Sequence, residues 1–236
     1  MSVENTIDFA VDSEHVDMAK RVMVLVLARK IYAGDIKPDE ITSAEQFILV
    51  IQQLGRAHED AFEFNVDDIE SDVQLIRHCI EQEKYHSAIV LLFTLLEREI
   101  NTIIRTLLRI RGMSHGTISD ALKGTDFATK LDVLLLLLEA EPPPRFRQVA
   151  LQCKTIRNLV VHNKATPSMF ADVGNRQSDH EVATTRAREF FGLHNIGKIE
   201  ADIRDYFDSS VGLSTEVQQA WALLDRFQPT QVQHNW

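Results

Sequence analysis

The stretch that decides the fold is residues 86–111, HSAIVLLFTLLEREINTIIRTLLRIR. Placed at about 100° per residue, Ile89, Leu92, Leu96, Ile100, Ile103, Leu107 and Ile110 fall within about 40° of one line. That pattern predicts a core stripe about six turns long, ended by Gly112. Arg98, Arg105 and Arg109 share the opposite line, and a mixed flank of Glu97, Asn101, Ile104 and Leu108 lies between the two. An arginine line of this kind is ordinarily a solvated face; the functional alternative is a track for phosphates.

Outward from this helix, nearly every segment carries a helical period. Upstream, an acidic start at Asp12, Ser13 and Glu14 opens a helix that runs through Ile31 to Gly34. Thr42 or Ser43 caps a second helix reaching Leu54, residues 57–68 read as a connection, and a third helix is expected at 69–83. Downstream, a Gly/Ser/His loop precedes a helix at 127–140. The run Pro142, Pro143, Pro144 separates that helix from another at 145–163, since proline suits a first turn but not a helix interior. Pro167 and the polar stretch to Ser178 read as a loop. Helices at about 180–208 and 215–227 follow, with Gly192 and Gly197 as weak points in the first. No strand and no internal repeat is legible, so the expected class is all-α, a helical bundle. The expected division is a helical extension at 1–66, a helical domain at 67–228 and a polar tail at 229–236.

Composition narrows the function classes. The 236 residues are 44% hydrophobic and 25% charged, as in an ordinary globular protein, and 9 Gly with 6 Pro are few for a turn-rich all-β chain. A net charge of −10 argues against a DNA-coating protein and leaves a local basic patch open. Two cysteines far apart, Cys79 and Cys153, form no C-x-x-C motif, which points to buried thiols in a reducing, cytoplasmic setting. The acidic first thirty residues lack the order of a signal peptide, and apolar runs such as Leu134 to Leu138 are too short to cross a membrane. His58, His78, His86 and His115 are scattered, and Glu81, Glu83 and His86 form no recognised ligand pattern, so no metal is expected. There is no Gly-rich phosphate loop or G-x-S-x-G elbow, and no cofactor is expected.

The helix expected at 145–163 is the second informative stretch. Phe146, Val149, Cys153, Ile156 and Val160 share its core face. Arg157 and His162 stand about 140° apart on an ideal helix and border a sector holding Lys154, Asn158 and Val161. Val161 would be wasted in water there. A second copy about a two-fold axis would cover it and bring two Arg/His pairs around one cleft. The bland alternative is that His162 serves the helix dipole in the last turn and Arg157 pairs with Glu97 or another acid across a helix interface.

These residues resemble the HEPN superfamily, all-helical domains found in prokaryotic RNases and toxins, whose signature is an Arg, four to six residues, then a His, usually with a polar residue after the Arg. Here that is Arg157-Asn158-Leu159-Val160-Val161-His162. Two other pairs have similar spacing, Arg109 with His115 and Arg188 with His194, but Gly112 and Gly192 interrupt them. The segments from Tyr85 through Leu96 and Glu97 to Arg111, then Lys130 to Leu138, then Thr155 to Asn163 resemble HEPN in helix order and in the patterning around Leu-Glu. The likeness covers about 100 residues and leaves residues 1–65 and the C-terminal helices unplaced.

The resemblance implies metal-independent RNA cleavage by a homodimer, giving a cyclic phosphate and a 5′-OH. His162 would give and take protons, Arg157 would clamp the phosphate, Asn158 would orient either, and Glu97 would stand near the site as an acidic group. Lys154 and Lys164 would raise the local potential. Arg98, Arg105 and Arg109 would bind RNA provided their line opens onto the same cleft. The implied setting is a toxin or anti-phage effector, with an antitoxin or regulatory protein as partner. The alternative is a non-catalytic HEPN-like interaction or regulatory module of the mannitol-repressor-like kind. A third reading, a nucleotide-binding partner of a nucleotidyltransferase, usually needs a tyrosine near the motif, and the nearest downstream is Tyr206.

Overall fold

Helix α4, Tyr85–Ile110, is the longest among the described residues and gives more side chains to the core than any other helix there. The computed structural model describes residues 13–56, 69–165, 173–212 and 214–227, and within them it is all-helical, with ten helices and no strand. The expected connection at 57–68, the tail at 229–236 and part of the expected loop after Pro167 lie outside the described residues. No described helix is long and apolar enough to cross a membrane.

The chain divides into two compact units. The first holds α1 (Ser13–Tyr32), a 3-10 turn at Pro38–Glu40, α2 (Ala44–Arg56) and the last helix, Thr215–Phe227. Gly34 ends α1 in the left-handed region, at φ 76°, where its amide and that of Asp35 reach back to the carbonyls of Ile31 and Lys30. Ser43 caps α2: its hydroxyl accepts from the Gln46 amide at 3.3 Å, and the Gln46 side chain accepts from the amides of Thr42 and Ser43. Val24, Leu27 and Ala28 of α1 are buried, as are Val217, Ala220, Leu223 and Leu224 of the last helix, which lies along α1. Phe47 stacks on Phe227 with ring centres 5.4 Å apart. The division drawn from sequence assigned this last helix to the domain at 67–228; the fold groups it with the N-terminal helices, because its apolar stripe finds a partner there that no local pattern announces.

The second unit runs from α3 (Ile69–Glu81) through α9. On α4, Ala88, Phe93, Leu95, Glu99 and Ile104 are buried in addition to the expected stripe. The buried arc covers about half the circumference, and only Ser87, Thr94 and Arg105 of this helix are exposed, the rest being buried or partly buried. Helix α5 (His115–Lys123) occupies a stretch read as loop. Ser114 caps it, accepting from the Thr117 amide, and Ile118 and Leu122 are buried. Helix α6 is continuous in three parts, α-helical Phe127–Thr129, a π-turn at Lys130–Leu134 and α-helical Leu135–Leu137. Helix α7 is Pro144–Ala165, with proline in its first turn as expected. Helix α8, Val173–Leu193, begins inside the expected loop, and α9, Ile196–Gly212, follows a break where one helix was expected. Asn195 makes the break: its side chain accepts from the Lys198 amide at 3.2 Å and caps α9. The last helix, in the first unit, is α10.

Tyr206 on α9 is buried against Phe146, ring centres 4.9 Å apart, and its hydroxyl donates to the Ala140 carbonyl at 2.6 Å. Tyr206→Phe keeps the ring and leaves that carbonyl unpaired. It should cost about 1–2 kcal/mol in denaturant unfolding without changing the denaturant dependence; an unchanged midpoint would show that the bond contributes nothing.

Candidate anion site around Arg157

Arg157 lies on α7, half-buried, with its guanidinium carbon 5.0 Å from the centre of the Phe93 ring on α4. One turn earlier, the Cys153 thiol donates to the Ile89 carbonyl at 3.8 Å. Both contacts advance by four residues on both helices, so one turn of α7 lies over one turn of α4 here. Burial pushes the Cys153 thiol above its ordinary range, so it stays a protonated core group.

The surroundings of Arg157 close into a ring of contacts. Phe93 meets Phe127 with ring centres 4.9 Å apart. Phe127 begins α6, whose N-cap is Asp126, accepting from the amides of Ala128 and Thr129. Asp126 Oδ1 is 3.6 Å from Lys154 Nζ, and Lys154 sits one turn before Arg157 on α7. One turn after Phe93 on α4, Glu97 Oε1 is 3.5 Å from Lys130 Nζ. Lys130 opens the π-turn, and its side chain is only 5% exposed. Buried lysines are rare, and π-turns recur at functional sites.

This ring has an unbalanced centre. Each nearby carboxylate is taken by a lysine, Asp126 by Lys154 and Glu97 by Lys130. Arg157 donates from Nη1 to the Asn158 side-chain oxygen at 3.1 Å and has no carboxylate partner among the described residues. Its Nε is shut off from water with no acceptor, and Asn101 Oδ1 is likewise buried without a donor. A buried donor left unmade costs about 1–3 kcal/mol. An atom closed to water is closed to an oxyanion too, so a phosphate or carboxylate would meet only the exposed part of the planar guanidinium. The expected alternative in which Glu97 pairs with Arg157 is not what the fold adopts.

Arg157, Asn158, Lys154 and Glu97 are therefore brought together. His162 and Lys164 lie on helical backbone of α7, and their side chains lie outside the described residues. The arginine line does not join them. It faces about 140° away from Phe93 around α4; Arg98 is held by Asp72 of α3 at 2.6 Å and by Glu99 at 3.1 Å. Arg109 donates to the Met113 carbonyl, and Arg105 is exposed. As a track into this site the line is withdrawn, because α4 presents Phe93 and the arginines to different sides. Lys130, Asp126, Phe93 and Phe127 were not expected here. A lysine falling on the apolar stripe of Phe127, Leu131 and Leu138 was the available signal for Lys130.

A separate open groove of about 530 Å³ lies between α7 and α8, lined by Leu151, Gln152, Phe190 and His194 among others. It is on the opposite face of α7 from Arg157, and none of the expected site residues lines it. No group of described residues could hold a metal ion. No protein-family model matches the chain, and no curated protein or solved structure is significantly similar to it.

The Asp126 carboxyl sits below its ordinary value, chiefly because the Thr129 hydroxyl and amide donate to it, with Lys154 adding attraction. A carboxyl depressed in the folded state stabilises the fold above its unfolded value of about 4, and that contribution vanishes as pH falls through the lower folded value. Asp126→Ala should therefore destabilise the protein at pH 7, with the gap to wild type shrinking as unfolding is measured at successively lower pH below about 4. A gap independent of pH would contradict this role.

Proposed function

We propose that the chain is a homodimeric, metal-independent endoribonuclease whose site is built on Arg157 and His162. The carrying observation is the Arg157 guanidinium, stacked on Phe93, with a buried Nε and no carboxylate partner among the described residues. A guanidinium fixed on a ring and lacking a carboxylate partner is preorganised to meet a phosphate at its exposed edge. On α7 the backbone at His162 lies just over one turn beyond Arg157. One two-fold contact over the half-buried Val161 would then gather both residues from two protomers.

The chemistry follows the HEPN resemblance. Arg157 binds the scissile phosphate, and Asn158 orients the guanidinium through the bond already present. His162 of one protomer takes the proton from the 2′-OH, whose oxygen attacks the adjacent phosphorus. The P–O5′ bond breaks, and the other protomer's His162 protonates the departing 5′ oxygen, leaving a 2′,3′-cyclic phosphate and a 5′-OH. Lys154 and Lys164 raise the local potential against a net charge of −10. Glu97 flanks the site. Such an enzyme suits a cytoplasmic toxin or anti-phage effector restrained by an antitoxin or regulatory protein.

With EDTA present, Arg157→Ala and His162→Ala should each lower RNA cleavage by about 10²-fold or more, and the wild-type rate should follow a bell-shaped pH profile. Equal cleavage by all three proteins would remove the assignment. No cleavage by any of them, together with a stable complex with a protein partner, would favour the non-catalytic module.

A further inference from the structure

Lys130 is buried where an apolar residue would serve the core, and its one partner among the described residues is Glu97. Its Nζ carries three donors, and the single bond seen is long, at 3.5 Å. A buried ammonium so thinly partnered is poor stabilisation, and breaking even or worse is usual for buried pairs. Its placement has a different consequence. Glu97 stands one turn from Phe93 on the face of α4 that carries Arg157, and its side chain is 38% exposed. Residues four apart on a helix are neighbours, so Glu97 adjoins the Phe93 ring over which the guanidinium lies. Left unheld, it would satisfy Arg157 from within the protein.

We infer that Lys130 is a positioning residue that keeps Glu97 off Arg157, so that the guanidinium stays open to the phosphate of a polynucleotide. The inference rests on the anion-site reading of Arg157 and deepens it. Lys130 touches no substrate; it acts through Glu97. The π-turn makes this possible, because the wider i to i+5 bond from the Leu135 amide to the Lys130 carbonyl sets the residue at the start of the turn, directly after the capped segment held by Asp126. The same occupancy recurs at Asp126, which Lys154 holds. Together the two lysines leave the guanidinium as the one member of the ring without an opposite charge among the described residues.

The test is a double-mutant cycle on binding, read with a short 2′-O-methyl oligoribonucleotide that cannot be cut because its 2′ oxygen cannot attack. Wild type, Arg157→Ala, Lys130→Met, Glu97→Gln and the Lys130→Met/Glu97→Gln double variant are compared at one salt concentration. Lys130→Met, nearly isosteric and apolar, should weaken binding about tenfold in the wild-type background and less than about twofold in the Glu97→Gln background. A merely structural role, or a direct contact with the ligand, would give the same loss in both backgrounds and overturn the inference. Tight binding in wild type that Arg157→Ala leaves intact would overturn the anion-site reading itself, separately from the role of Lys130. Should Lys130→Met unfold, Lys130→Gln in the same two backgrounds gives the same comparison.

Discussion

Helix α4 tolerates water only along a narrow strip, and this constraint orders the second unit. Half its circumference is buried, and the residues that are exposed, Ser87, Thr94 and Arg105, lie close to one line. Burying so broad a surface requires several helices to close around one, and each large aliphatic side chain from Ile89 to Leu107 contributes about 25 cal/mol per Å² of apolar surface removed from water. Because α7 crosses α4 here, Arg157 comes down onto Phe93. Because α6 closes the adjacent side, Phe127 and Lys130 arrive at the same place. The polar cluster is a by-product of covering α4, built where three helices meet.

Within that cluster the electrostatics are arranged by pairing. Lysines hold the two acidic groups, and the arginine is left with a neutral amide. A fold optimised only for stability would place a carboxylate opposite a half-buried guanidinium, since leaving its Nε unsatisfied costs free energy. Such local costs tend to cluster at functional sites.

Much of the fold was legible because helical periodicity is a strong signal over long segments. The stripe from Ile89 to Ile110, the proline entry to α7 and the Ser43 cap all follow from residue chemistry at known offsets. What was hidden depends on partners distant in sequence. Helix α5 is only nine residues long and starts among Gly, Ser and His, so its two buried residues, Ile118 and Leu122, gave too short a period to read. The pairing of α10 with α1 joins the ends of the chain. Around Arg157, the motif and the patterning beside it single out Asn158, Lys154 and Glu97. Lys130 and Asp126 were missed because a lysine in an amphipathic helix is ordinarily read as solvated, and only the close approach of α6 to α4 shows otherwise.

The central claim is that the Arg157 guanidinium is an open anion site, and the most direct measurement follows its own Nε–H. In nitrogen-15-labelled protein, inorganic phosphate titrated into the sample should shift the Arg157 Nε–H resonance saturably, with the assignment fixed by its loss in Arg157→Lys. The account predicts that this resonance moves while that of Arg98, already held by Asp72 and Glu99, does not. An Arg157 signal that stays in place up to phosphate concentrations at which exposed arginines respond would contradict it.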